Sequence, residues 1–297
     1  MIPVLLGVTL LVFFIMHLAP GNVAAMILGE NATKEQIAAL EAEMGLDRPL
    51  LIQYLDYLLG LLHGDLGTSY TTGASVTSEI MARFPYTVVL TLVAAVVSIL
   101  LALPLGILAA VKQNTWVDNV SMVVSLIGVS MPIFWLAVML ILFFSLKLGW
   151  FPVYGANSWD SIVLPAISLG FMNMASIART TRSSMVETIR QDYIRTAYAK
   201  GLSKGTIIMR HAFRNGMLPT ITVIGLEIGQ MLGGSVLTET VFAWPGVGRL
   251  MIQSINGRDT PMVMGCIILM TICFSFVNLI VDLLYGVVDP RVRTMYR

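Results

Sequence analysis

Residues 86–111 read YTVVLTLVAAVVSILLALPLGILAAV, and no charged side chain interrupts them. A helix of that length extends about 39 Å, more than the roughly 30 Å of hydrocarbon in a bilayer. In lipid a single segment must satisfy its own backbone hydrogen bonds, so this stretch predicts a membrane-spanning helix. The whole chain agrees: of its 297 residues 57% are apolar and 12% charged, whereas a soluble domain carries about a quarter charged residues. The expected class is an all-α polytopic membrane protein. A net charge of +1 gives no pull toward nucleic acid, so the placement of charges matters more than their sum.

Outward from that helix, hydropathy predicts further spans over Ile2–Leu18, Asn119–Leu146, Ile162–Ile177, Met217–Leu237 and Met262–Val287, six in all. The first has about 17 apolar residues, at the low end for a crossing. It has no basic region ahead of it, and HLAPGN after it offers no small-x-small cleavage site, so it reads as an uncleaved span rather than a signal peptide. Basic residues are retained on the cytoplasmic side. Grouping segments 112–118, 178–216 and 288–297 places twelve Lys and Arg together, against six on the other side. Both termini are therefore expected to be cytoplasmic.

Segment 19–85, with eight acidic residues, falls outside. Within it Thr33 and Gln36 form the pattern of a capping box for TKEQIAALEAEMG, and Gly45 supplies the stop. A second helix starts at Pro49; PLLIQYLDYLLGLLH is apolar but too short to cross, which suits a helix lying at the membrane surface. GDLGTSY, residues 64–70, reads as a turn. The expected organisation is a first transmembrane helix over 1–18, an extracytoplasmic helical segment over 19–85, a core of five helices over 77–287 with a loop at 178–216, and a tail over 288–297.

Enzymatic chemistry is hard to find. There is no phosphate loop of the G-x-x-x-x-G-K-[ST] type, no H-E-x-x-H and no G-x-S-x-G. His17, His63 and His211 fall in three separate places, which argues against a shared metal. Cys266 and Cys273 lie seven apart on one helix, about 10 Å along its axis, too far for a mutual disulfide; they read as buried structural thiols. Intramembrane carboxylates are functional suspects, and Glu227 sits mid-span in GLEIGQML, while Asp282 near an inner helix end reads as a paired interfacial residue. Glu227 keeps one alternative open, an autonomous ion-coupled secondary transporter or channel.

The loop 178–216 carries eight basic and two acidic residues. Charge alone makes it a positive-inside anchor, but its order says more. DYIRTAYAKG combines helix formers with small residues at Thr196, Ala197 and Ala199, and Gly201 ends the short helix. Ala197 and Gly201, four apart, share one face of such a helix, so the expectation is a bald surface that enters a groove on another protein while flanking charges fix its register.

The stretch RTAYAKGLSKGTIIMRHAFRNGMLP, residues 195–219, resembles the EAA loop of bacterial ABC importer permeases, in the form carried by the dipeptide, oligopeptide, nickel and glutathione branch. HLAPGN, GLDRPLLIQYLDYL, GDLGTSY, LTETVFAWPGVGRLMIQSINGRDTPMVMG and VNLIVDLLYGVVDPRVR are similar to that branch in the same order, so the resemblance covers nearly the whole chain. It is to the first of the branch's two paired permeases, whose relatives carry about a dozen more residues ahead of the first helix. Arg195 stands where the general EAA pattern has Glu, and Pro219 lies 18 positions after Gly201; both suit the peptide branch.

The resemblance implies a type I ABC importer permease fold with six spans and no catalysis or cofactor on this chain. ATP and Mg would be held by two cytoplasmic ATP-binding subunits, with a homologous second permease and an extracytoplasmic solute-binding protein completing the assembly in the inner membrane. It also implies a coupling helix that contacts the ATPase, here Arg195, Thr196, Ala197, Tyr198, Ala199, Lys200, Gly201, Leu202 and Ser203. Pro132 in SMPIFW, with Met131, marks a bend in a span, and Met131, Pro132 and Glu227 are candidates for the translocation path. Di- or oligopeptide is the expected cargo, with glutathione and nickel chelates as the other members of the branch.

Overall fold

The computed structural model describes residues 2–18, 21–29 and 31–288. In chain order its helices are α1 (Ile2–Leu18), α2 (Val23–Leu28), α3 (Lys34–Glu43), α4 (Leu50–Leu62), α5 (Val76–Val111), α6 (Trp116–Ser130) and α7 (Ile133–Leu140). They continue with α8 (Val163–Ile189), α9 (Asp192–Ala199), α10 (Lys204–Thr206), α11 (Phe213–Gly234), α12 (Val236–Val241), α13 (Val247–Asn256) and α14 (Thr260–Val288). Wider π-turns extend α7 over Ile141–Lys147 and join α10 to α11 over Ile207–Ala212. Among the described residues no strand forms, only a single bridge between Thr68 and Ser75. The tail with Arg291, Arg293 and Arg297 lies outside the described residues, as does the side chain of Asp282.

The chain divides into two compact units, Met1–Thr87 with Pro245–Ile272, and Val88–Trp244 with Cys273–Arg297. In the first, α3 begins with the capping box expected of it: the Thr33 amide donates to Gln36 Oε1 at 2.9 Å and the Gln36 amide to Thr33 Oγ1 at 3.3 Å. Gly45, at φ 68°, takes the left-handed turn beyond the helix. Helix α4 has 13 residues, about 20 Å, and does not reach across a bilayer. Its Tyr54 is buried against Phe13 of α1 and Met264, and the phenol shares a hydrogen bond of 3.0 Å with Thr9. Leu51, Leu55 and Leu59, spaced four apart, stay exposed on the other side.

The same unit is organised by a residue that sequence reading passed over. Asp259 is buried and stands just before α14. Its carboxylate accepts from the Ser69 hydroxyl, from the Tyr70 amide at 3.1 Å, from the Thr71 hydroxyl at 2.9 Å and from the Met262 amide at 3.3 Å. One side chain thus caps a helix and fixes the GDLGTSY turn, which is why two blocks nearly 190 residues apart belong together. Burial, with the Asp259 carboxylate beside it, pushes the Tyr70 phenol above its ordinary range.

In the second unit α8 is the central helix. Neighbouring backbones come so close to it that only glycine fits: a Cβ added at Gly170 would stand 2.6 Å from the Ala94 carbonyl oxygen, and one at Gly106 would stand 2.7 Å from that of Ala178. Such small-residue contacts suit helices in lipid, where packing rather than solvent exclusion drives association. Around them Leu90, Ala94, Ile133, Leu169 and Met231 form one core cluster, and Ala102, Met174, Ile177 and Ala178 another.

The six expected spans are only partly matched. Among the described residues three helical stretches are long and apolar enough to cross alone, Val76–Val111, Trp159–Ile189 and Thr260–Val281. The expected single span Asn119–Leu146 is instead two helices bent by 101°. Met131 (φ −84°, ψ 130°) and Pro132 (φ −60°, ψ 132°) both leave helical geometry, because the proline ring clashes with a helical conformation in the residue before it. If that bent pair crosses as one broken span, the count is four. Helix α1, with 17 residues, is short for a crossing, and α11, though 22 residues long, is diluted by Thr220, Thr222, Glu227 and Gln230.

Gly170→Ala should lower the stability of the purified, assembled protein by about 1–3 kcal/mol through overpacking, read as a drop in thermal midpoint. Gly205→Ala, where an added Cβ meets nothing within 4 Å, should leave the midpoint unchanged or slightly raised; equal midpoints for the two variants would contradict the close packing at α8.

Candidate docking surface

The basic loop folds back on the membrane helices as α9. Its stop is built from sequence: Gly201 adopts φ 76°, the Gly201 amide donates to the Tyr198 carbonyl at 3.0 Å, and the Leu202 amide to that of Ala197 at 3.4 Å. That pair of bonds is the Schellman closure of a helix end, and glycine takes the left-handed position without the steric cost of a Cβ. Ser203 follows at once as the cap of α10, accepting from the Thr206 amide at 3.4 Å.

Two residues hold α9 down. Ile194 and Ala197 are buried in a cluster with Ala110 of α5, Met185 of α8, and Ile207 and Ala212 of the π-turn. Asn215 adds a hydrogen bond of 3.1 Å from its side-chain amide to the Tyr193 hydroxyl. The expected bald face is therefore not a single face. Ala197, only 6% exposed, packs inward and is no contact for a partner. Gly201 points into open space, because its left-handed backbone takes it off the helix and ends the four-residue register that joined it to Ala197.

What remains outward is Arg195, Thr196, Tyr198, Ala199, Lys200, Gly201, Leu202 and Ser203, all exposed. Tyr198 and Leu202 are 46% and 40% exposed, two large apolar groups in a basic surround. Among the described residues the one ion pair here, Arg195 to Asp192 at 3.6 Å, joins side chains 79% and 96% exposed and contributes little. Lys200 and Lys204 have no ion pair among the described residues.

Beneath this surface a second anchor escaped sequence reading. Arg182 of α8 grips Asp118 of α6 with two bonds, Nε to Oδ1 and Nη2 to Oδ2, each 2.6 Å, and Asp118 is buried. The carboxylate also accepts the amide of Asn114 at 3.0 Å, a residue at φ 61°. Arg190 reaches Gln113 Oε1 at 3.1 Å. The sequence signal for Asp118 was its place in the first turn of a helix, where a carboxylate suits the exposed amides; nothing local named Arg182 as its partner.

Among the described residues no hydrogen bond or ion pair links the candidate path residues Met131, Pro132 and Glu227 to one another. Met131 and Pro132 form the break between α6 and α7. Ile133 after the break shares a core cluster with Met231 of α11, but Glu227, half-buried on α11, has no hydrogen bond or ion pair among the described residues. No group of three or more metal-ligating side chains occurs among the described residues either.

Comparison with known proteins decides between the open readings. Residues 102–294 match the model of the binding-protein-dependent transport system inner membrane component family, and residues 1–91 match the N-terminal domain model of the same systems' membrane components. The chain belongs to the family of binding-protein-dependent transport system inner membrane components. It is 44% identical to the dipeptide transport system permease protein DppB of Alkalihalophilus pseudofirmus and 42% identical to the glutathione transport system permease protein GsiC of Salmonella choleraesuis, in each case over 99% of this chain and 96% of the relative. Among solved structures, the inward-facing MetNI methionine ABC transporter matches with a TM-score of 0.62 at 19% identity, covering 71% of this chain and 96% of the other. That likeness establishes the fold. The protein is thus a multi-pass permease subunit of an ABC importer, not an enzyme, and the self-contained carrier built on Glu227 is set aside.

The two faces of α9 make opposite demands on a substitution. Ala197→Asp would bury a carboxylate among apolar groups with no partner, which costs several kcal/mol, so the permease should fall in abundance and thermal stability before any partner is considered. Normal abundance and stability for that variant would show that Ala197 is not packed as described.

Proposed function

We propose that this permease works in the inner membrane with a homologous second permease, two cytoplasmic ATP-binding subunits and an extracytoplasmic binding protein, and passes di- or oligopeptides inward by alternating access. Both termini and the loop 178–216 then lie in the cytoplasm, and segment 19–85 lies outside. ATP and Mg would belong to the partner subunits. The observation that carries the reading is α9: a helix clamped from behind by Ile194 and Ala197, with Tyr198 and Leu202 left bare among basic side chains. A helix tied this firmly to α8 transmits a push, and its exposed apolar pair is the kind of anchor that fills a partner's pocket. The relatives at 44% and 42% identity are named for transport of a dipeptide and of glutathione, itself a tripeptide, and together they support a short peptide as cargo.

In this reading the contact residues are Arg195, Thr196, Tyr198, Ala199, Lys200, Gly201, Leu202 and Ser203, with Tyr198 and Leu202 central. Tyr198→Asp and Leu202→Asp should leave permease abundance near normal, since both side chains are already wet. Each should weaken ATPase association by about 2–4 kcal/mol, roughly 30- to 1000-fold. Copurification of the ATPase and peptide-stimulated hydrolysis in the reconstituted complex measure this. Wild-type assembly and transport in both variants would reduce the loop to a positive-inside anchor.

A further inference from the structure

Beside the α9 platform an apolar groove of about 430 Å³ opens between α5 and the π-turn. Leu100, Leu103, Pro104 and Leu108 form one wall, Met209 and Phe213 the other. The residues that follow Met209 and Phe213 are Arg210 and Arg214, and Lys112 follows Leu108 by one helical turn. All three cations are exposed, and none has an ion pair among the described residues. Asp118, the first carboxylate after Lys112 in the sequence, is already committed to Arg182.

We infer that this groove holds an anionic phospholipid, with one acyl chain along α5 and the phosphate between Arg210 and Arg214. The lining offers no hydrogen-bond partner to a polar ligand, so the part of the occupant inside must be hydrocarbon. Unpaired cations beside the lining ask for negative charge at the occupant's head. In a chain whose helices stand in a bilayer, one molecule has both properties and is present at high local concentration. A helix of the partner permease would need acidic residues at the same height to match these charges. Two neighbouring arginines four apart also present their guanidinium groups on one side of the helix, which suits the paired oxygens of a phosphate.

The test uses the complete importer purified from membranes and passed through vesicles of phosphatidylcholine with phosphatidylglycerol, followed by native mass spectrometry of retained lipid. Wild type should retain phosphatidylglycerol in preference to phosphatidylcholine. Each basic group near an anionic head contributes about fivefold in affinity, so Arg210→Gln with Arg214→Gln should weaken retention about 30-fold while the complex stays assembled. The charge-keeping pair Arg210→Lys with Arg214→Lys should restore most of it, and Met209→Trp, which fills the groove with the charges intact, should also lower it. Undiminished phosphatidylglycerol in the glutamine variant, equal retention of phosphatidylcholine by wild type, or a photo-crosslinker at position 209 that captures the second permease rather than lipid would each overturn the assignment.

Discussion

The close approach of backbones around α8 is the constraint on which the second unit depends. Gly170 and Gly106 remove the atoms that would keep α5 away, and once the axes are that close, the alanines between them have no room to move. Interiors packed at this density do not deform continuously. A displacement at one end of α8 is therefore carried along it rather than absorbed. The helix continues without a break from Val163 to Ile189, and its last turns carry the two anchors that matter, Arg182 on Asp118 and Met185 under α9.

Those anchors differ in kind. The Arg182–Asp118 pair is bidentate and its carboxylate is buried, so removing either partner leaves an uncompensated charge at a cost of about 3–5 kcal/mol. Its value lies in register, since a guanidinium fork meets a carboxylate in few geometries. The contact of Ile194 and Ala197 with Met185, Ile207 and Ala212 is apolar and depends on shape alone. Together they hold α9 from behind, so Tyr198, Leu202 and Lys200 take no part in that anchoring, and in the proposed function they are what a partner meets. The first unit shows the same economy of means in Asp259, where a single carboxylate orders a turn and starts a helix.

Much of this was legible in the sequence because it is local. Hydropathy marked α1, α5 and α14, the Thr33–Gln36 box and the Gly45 and Gly201 stops followed from backbone chemistry, and Pro132 announced the break between α6 and α7. The extent of that break was not legible: a proline signals a kink, but the 101° turn also needs Met131 extended beside it. Long-range pairings were hidden for a plainer reason. Asp118 with Arg182, and Asp259 with residues 69–71, join positions 64 and nearly 190 residues apart, and no periodicity encodes such meetings. Ala197 went the other way: small and four from Gly201, it fitted a bald docking face, yet the left-handed Gly201 broke the register that argument needed.

Helix α9 is fixed by contacts within its own chain. An isolated helix of eight residues is marginal in water, so order there must come from the contacts of Ile194 and Ala197. Amide hydrogen exchange across residues 194–202, measured on the permease pair without its ATP-binding subunits, tests this most directly. Slow exchange is expected for the amides in the last turn, Lys200 to Leu202, with Ile194→Ala speeding them without altering those in the middle of α8. Exchange at unfolded-chain rates until the ATP-binding subunits are added would contradict it, making α9 a segment that its partner folds rather than a rigid extension of the membrane helices.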